Sequence, residues 1–167
     1  AKNYFNNGNQ SYKRGDLEGA LLSYNNVLNV DETFYQAHYQ IGVIQSKMGD
    51  KDLAIMSYQK ALDVNPQFYK GFFALGLAKS SLNDSNGALA ALQSAIDIYP
   101  GYDKAYGAMG DIYIGLKNFE KAKQVLNMSI TVNPNYARGY ANLGIIHSDE
   151  ENWNNAVSSL EMAVALN

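Results

Sequence analysis

From Ala20 onward an apolar side chain returns every fourth residue, as Ala20, Tyr24 and Leu28. The same trio recurs as Ala54-Tyr58-Leu62, Ala88-Leu92-Ile96, Ala122-Leu126-Ile130 and Ala156-Leu160-Val164. An i, i+4, i+8 stripe is one face of an amphipathic helix. Upstream of each stripe stands a second pattern at helical spacing. An aromatic or near-aromatic residue (Tyr4, His38, Phe72, Tyr106, Tyr140) is followed three residues later by Asn7, Ile41, Leu75, Met109 or Leu143, and then by a glycine at 8, 42, 76, 110 or 144. Each unit therefore predicts two helices, and no strand pattern interrupts them.

The prolines at 66, 100 and 134 are 34 residues apart, as are the five glycines and the five alanines that open the second stripe. Glycine is only 14 of 167 residues, so five in register mark a true internal repeat. With Pro66, Pro100 and Pro134 at the thirty-second place, the units run 1–34, 35–68, 69–102, 103–136 and an incomplete 137–167. Gly15-Asp16, Gly49-Asp50 and Asn83-Asp84 suit a turn between the two helices, whereas Lys117 and Glu151 suit it less well. Asn65-Pro66, Tyr99-Pro100 and Asn133-Pro134 end the second helix, because the residue before proline is driven out of the α region. The small residues at positions 8 and 20 predict close approach of the paired helices. The aromatics Phe34, Phe68, Tyr102 and Tyr136 precede each new helix, where they can fill the seam between units.

This pattern resembles the tetratricopeptide repeat, most fully in Tyr106, Met109-Gly110, Tyr113, Ala122, Leu126 and Pro134. The resemblance covers essentially all 167 residues. It implies an all-α fold, a right-handed α-solenoid of stacked helix-turn-helix hairpins forming a single array over 1–167. Asn7 and Glu32 depart from the pattern in the first unit, which predicts looser packing there. Because the array starts inside a helix and stops at Asn167, position 31 of its unit, without a capping helix, it is expected to be a fragment of a longer protein.

Composition narrows the function classes. At 47% hydrophobic and 17% charged residues the chain is too apolar for disorder, and residues 71–78, its densest apolar stretch, are far too short to span a bilayer. The net charge of −3 argues against nucleic acid as a partner. Zero cysteines exclude a thiolate nucleophile, a disulfide framework and thiolate metal sites. His38 and His147 occupy packing slots and pair with no second ligand at metal spacing, and the acidic runs at 31–32 and 149–151 read as solvated turns. No catalytic residue, metal site or cofactor is expected, and the chain is not expected to be an enzyme. The sequons at Asn9, Asn83 and Asn127 read as accidents of an asparagine-rich sequence, a composition leaning toward a soluble bacterial protein.

The resemblance further implies a concave face lined by the first helix of each unit through positions 2, 5, 9, 12 and 13. Position 2 carries Lys2, Lys70, Lys104 and Arg138, with Gln36 in the second unit, a row able to meet carboxylates or carbonyls of an extended peptide. Positions 5 and 9 supply Phe5, Tyr39, Val43, Phe73 and Leu77, expected to face away from the hairpin core as an exposed apolar strip. Gly107 and Ala141 are expected to open the groove farther along, with Asp111 and Asp149 adding negative charge. Lysine is absent from position 5 throughout, so the family's carboxylate clamp for chaperone tails is disfavoured. Only Asn6 and Asn142 match the asparagine ladder of its glycosyltransferase arrays. The expected function is a non-enzymatic module binding a peptide segment or partner protein in the groove. The alternative is an assembly scaffold acting through end-to-end stacking, self-association or contacts with flanking domains.

Overall fold

The computed structural model describes residues 1–166, and Asn167 lies outside the described residues. Among the described residues the chain forms ten α-helices and no strand. The first helix of each repeat is α1 (Lys2–Lys13), α3 (Tyr35–Met48), α5 (Tyr69–Ser81), α7 (Asp103–Gly115) or α9 (Ala137–Asp149). The second is α2 (Leu17–Val30), α4 (Lys51–Val64), α6 (Ser85–Ile98), α8 (Phe119–Val132) or α10 (Trp153–Ala165). The contacts divide the chain into two compact units, Ala1–Ala91 and the residues from Leu92 onward.

In the first unit α1 pairs with α2 and α3 with α4, while α2 packs on α3 and α4 on α5. The repeat-defining glycines make the pairing possible. A methyl group on Gly8 would stand 2.7 Å from Tyr24 Cε1; on Gly42 it would stand 2.6 Å from Tyr58 Cε1 and 3.1 Å from the Ala54 carbonyl oxygen. Position 8 thus receives the ring of position 24, while position 20 lets the backbones close. Tyr24 is fully buried among Ala20, Val27, Ala37, Ile41 and Ile44, with its hydroxyl donating to Asn9 Oδ1 at 2.7 Å. That bond keeps a phenol with no solvent exposure from being left unpaired. Helix α1 buries only Gly8, as the polar Asn7 of this repeat leads one to expect.

The second unit repeats the scheme with leucine in place of tyrosine. A methyl on Gly110 would lie 2.5 Å from Leu126 Cδ2, and one on Gly144 would lie 2.7 Å from Leu160 Cγ. Ala122 and Leu126 of α8 pack with Leu143 and Ile146 of α9.

Both turn types recur as well. At each hairpin bend the amide of position 15 donates to the carbonyl of position 12 and that of position 16 to position 11, as in Gly15→Tyr12 and Asp16→Ser11, or Glu151→Ser148 and Asn152→His147. This pair of bonds satisfies the last carbonyls of the first helix and places position 15 in the left-handed region. Gly15 (φ +81°) and Gly49 (φ +96°) enter it freely, but Asn83 (φ +63°), Lys117 (φ +56°) and Glu151 (φ +57°) enter it too. The ill-suited Lys117 and Glu151 therefore adopt the same turn at a conformational cost. Asp16, Asp84 and Asn118 then cap the following helix by accepting from the amides of Gly19, Gly87 and Lys121. Between repeats, the amide of position 34 donates to the carbonyl of position 31, and Pro66 and Pro134 fill the second place of that four-residue turn, where a fixed φ is favourable. Glu32 makes the same turn in the first repeat without a proline, through Phe34→Asp31. Phe68 fills the expected seam, its ring 5.0 Å from that of Tyr39 and against the backbone of Gly71 in the next repeat.

Two outcomes follow. The double variant Lys117→Gly, Glu151→Gly relieves two strained positions and raises stability by about 1 kcal/mol or more, read from urea melts followed by circular dichroism. Burial, with a lesser contribution from Tyr12, pushes the Tyr24 phenol from 10 up to about 12. The folded chain then holds a proton that the unfolded chain has released, so stability is whole below pH 10 and declines as pH rises from 10 to 12. The decline reaches at most about 3 kcal/mol for Tyr24 and is checked by melts across that range.

Candidate functional site

In the first unit α3 and α5 come into contact and enclose a cavity of about 290 Å³. Tyr39, Val43 and Ser46 of α3, Phe73, Leu77 and Ser81 of α5, and Lys51 and Tyr58 of α4 line it. Regular helical spacing produces this lining. Positions 5, 9 and 12 of α3 lie on one face, and positions 5, 9 and 13 of α5 meet it.

The expected exposed strip is largely absorbed by packing. Phe5 lies 5.5 Å from the Tyr24 ring and 5.0 Å from Phe34, and Tyr39 lies 5.7 Å from Tyr58 and 5.0 Å from Phe68. Both residues therefore face the hairpin core as well as the groove, which corrects the reading that position 5 points away from it. The cause is the aromatic at position 34, which reaches back over the first helix of its own repeat. Val43 and Phe73 are half-buried too, and Leu77 alone of the five is open, at 44% exposure. Burial raises the Tyr39 phenol above its ordinary value, with Tyr12 adding to the effect, and burial likewise raises Tyr58.

Lys2 and Lys70 are exposed, and Lys70 Nζ stands 5.8 Å from the centre of the Tyr69 ring. Lys51, which sequence reasoning passed over, borders the cavity with its Nζ donating to the Ser81 carbonyl at 3.3 Å. Its sequence signal is slight, since a lysine between Asp50 and Asp52 at a helix start reads as solvated surface.

In the second unit Lys104 is exposed, whereas Arg138 is engaged: its guanidinium donates to Asp111 Oδ2 at 2.6 Å, and Asn142 Nδ2 donates to Asp111 Oδ1 at 2.5 Å. Asp111 thus adds no free negative charge, because its carboxylate is spoken for on both oxygens. Gly107 opens no room either; a methyl there would meet the Tyr136 ring at 2.8 Å, so the aromatic of position 34 fills the space a larger side chain would take. The histidines lie in packing slots. His38 Nε2 is 3.0 Å from the Glu32 carbonyl, and His147 Nδ1 is buried 3.7 Å from Glu150 Oε2.

One further surface stands out. On α10, Trp153, Val157 and Val164 are 62%, 55% and 75% exposed. Leu160 is 42% exposed, although its counterpart Leu126 is fully buried beneath α9. A shallow apolar depression there is lined by Val157, Leu160, Glu161, Val164 and Ala165.

Tetratricopeptide-repeat profiles match residues 8–49, 35–68 and 81–146, and with the helical hairpins they define the chain: it belongs to the tetratricopeptide-repeat family. No protein of curated function matches the chain in sequence. Solved structures with the same fold include MamA from Desulfovibrio magneticus RS-1, at 21% identity over 99% of this chain and 93% of that one (TM-score 0.87). Another is pilF from Pseudomonas aeruginosa, at 19% identity over 99% and 76% of the two chains (TM-score 0.90). YrrB, described as a tetratricopeptide-repeat protein with an unusual peptide-binding site, is 23% identical over 98% and 84% (TM-score 0.77). At these identities the likeness is one of fold. Among the described residues no helix is long and apolar enough to cross a membrane.

Proposed function

We propose that the chain is a non-enzymatic interaction module that binds an extended peptide segment of a partner protein along its first helices. The cavity between α3 and α5 carries this reading, because a cleft walled by Tyr39, Val43, Phe73 and Leu77 can desolvate an apolar side chain. The family supports it, and so does the peptide-binding site described for YrrB. Tyr39 and Phe73 contribute to the walls, while Phe5, Lys2 and Lys70 stand on first helices of the same unit outside the cavity lining. Lys104 and Arg138 serve the second unit, where Arg138 first has to exchange Asp111 for a ligand carboxylate.

A second reading, contact at the C-terminal helix, is favoured by the exposure of α10. The positions that pack on a preceding second helix are Ala37, Ile41 and Ile44 in α3 but Asn3, Asn7 and Gln10 in α1. Head-to-tail stacking of identical copies would bury those three amides against Leu160 and Val164, at a cost of about 1 to 3 kcal/mol for each left unpaired. The α10 face accordingly suits a different apolar helix better than the α1 of another copy.

The core packing of Phe5 and Tyr39 makes their alanine variants poor probes, since either would unfold a hairpin. Leu77→Arg, at an exposed site, is the discriminating change. Random-peptide display against the wild type yields binders that Leu77→Arg loses at least tenfold while keeping its helical melt. Binders indifferent to Leu77→Arg would refute the groove. For the second reading, light scattering across a wide concentration range shows no growing chain of copies, whereas progressive polymers would restore end-to-end stacking.

A further inference from the structure

The charges of the first unit are segregated by helix. Helices α1, α3 and α5 carry lysines at 2, 13, 47, 70 and 79 and not one aspartate or glutamate. All eight carboxylates of residues 1–91 fall at repeat positions 16, 18, 29, 31 and 32, in the turns and on the second helices. An acidic chain has thus kept negative charge off α3 and α5, while α4, which adds Lys51 and Tyr58 to the lining, carries Asp52 and Asp63. Lys79 is held by Asp84 at 3.1 Å, and that aspartate, drawn below the ordinary carboxylate range by the Gly87 amide and by Lys79, is fully occupied. The other four lysines, and Lys51 at the cavity mouth, have no carboxylate within ion-pair distance among the described residues.

We infer that the cavity between α3 and α5 is the anchor point for an acidic peptide. A large apolar side chain of the peptide enters between Val43, Phe73 and Leu77, and an aspartate or glutamate beside it pairs with Lys51. Lys47 of α3, its Nζ 5.2 Å from the centre of the Tyr12 ring, and Lys70 of α5 add to the positive field of the two helices, which draws in carboxylates flanking the anchor. Lys51 is well placed for this role. Its ammonium already leans on the Ser81 carbonyl at 3.3 Å, which leaves donors free for an incoming oxygen. The walls also argue for a peptide over a nucleic acid: Val43, Ala74, Leu77 and Ala78 form a pocket for a branched or aromatic side chain, and the Tyr39 ring beside them is packed on Tyr58 and Phe68.

This inference rests on the groove reading above and sharpens it to a class of ligand. The test uses amidated, fluorescein-labelled peptides with one central Phe flanked by mixed Asp, Glu, Ser and Gly. Comparison pools carry Ala at the centre, Asn and Gln for the acids, or Lys for the acids. Fluorescence anisotropy at low salt is expected to show the tightest binding for the acidic Phe pool. Affinity falls at least tenfold with central Ala, falls at least tenfold with the neutral pool, and declines steadily with added sodium chloride. Lys51→Gln, whose folding is verified by its melt, weakens the acidic pool several-fold and leaves the neutral pool unmoved.

Equal binding of acidic and neutral pools, both lost in Leu77→Arg, would overturn the charge assignment and leave the groove intact. Preference for the lysine pool would do the same. Absence of binding by every pool would overturn the acidic-peptide inference, and the display experiment then decides the groove separately. Displacement of the acidic pool by oligo-dT, with the same dependence on Lys51 and Leu77, would replace the peptide by a nucleic acid.

Discussion

The missing side chain at the eighth place of each repeat governs the packing of the hairpins. With only hydrogen on Gly8, Gly42, Gly110 and Gly144, a large side chain from the paired helix reaches the backbone of the first helix, and no methyl group would fit between them. Everything else in the hairpin follows from that contact. The alanine at position 20 lets the backbones close, the ring or leucine at position 24 becomes the core, and the left-handed turn at position 15 must deliver the second helix at that distance. The turn is so tightly demanded that Lys117 and Glu151 take it against their own preference. A packing interaction repeated along the chain outweighs a local conformational cost of one or two kcal/mol.

The same economy of space shapes the candidate site. The aromatic at position 34 does two things at once. It closes the four-residue turn into the next repeat, and it leans back over position 5 of its own first helix, as Phe34 does on Phe5 and Phe68 on Tyr39. Where position 5 is glycine, as at Gly107, the aromatic moves into the vacated volume. Position 5 therefore serves the seam and the groove together. The part of the wall that can change without cost to the core is the outer rank, Leu77 above all, together with the lysines.

Charge distinguishes the two units as clearly as shape does. The first pairs only Lys79, with Asp84, among the lysines of its acid-free helices α1, α3 and α5. The second ties Arg138 to Asp111 and Asn142, and joins Lys123 to Glu120 and Glu150. Those pairs of the second unit lie at or near the surface, where they contribute little to stability, and the Arg138–Asp111 pair removes free charge from the first helices, which would meet a ligand. The outer face of α10 differs again, with valines and a tryptophan standing in solvent where α9 covers the equivalent face of α8.

Periodicity alone determined a great deal about this protein. Thirty-four-residue spacing of glycine, alanine and proline specified ten helices, their pairing, both turns and the buried trios such as Ala20-Tyr24 and Ala122-Leu126, because those properties depend on neighbours a few residues apart or on the same place in the next unit. Tertiary structure decided what depends on how far a side chain reaches across helices. That Phe5 and Tyr39 are claimed by position 34, that Tyr136 fills the gap at Gly107, that Arg138 reaches Asp111, and that Lys51 arrives at the mouth of a cavity walled by α3 and α5 are facts about distances between side chains on different helices. No repeat position encodes them, since the same slot is occupied by phenylalanine in one unit and glycine in another, and each neighbour answers accordingly.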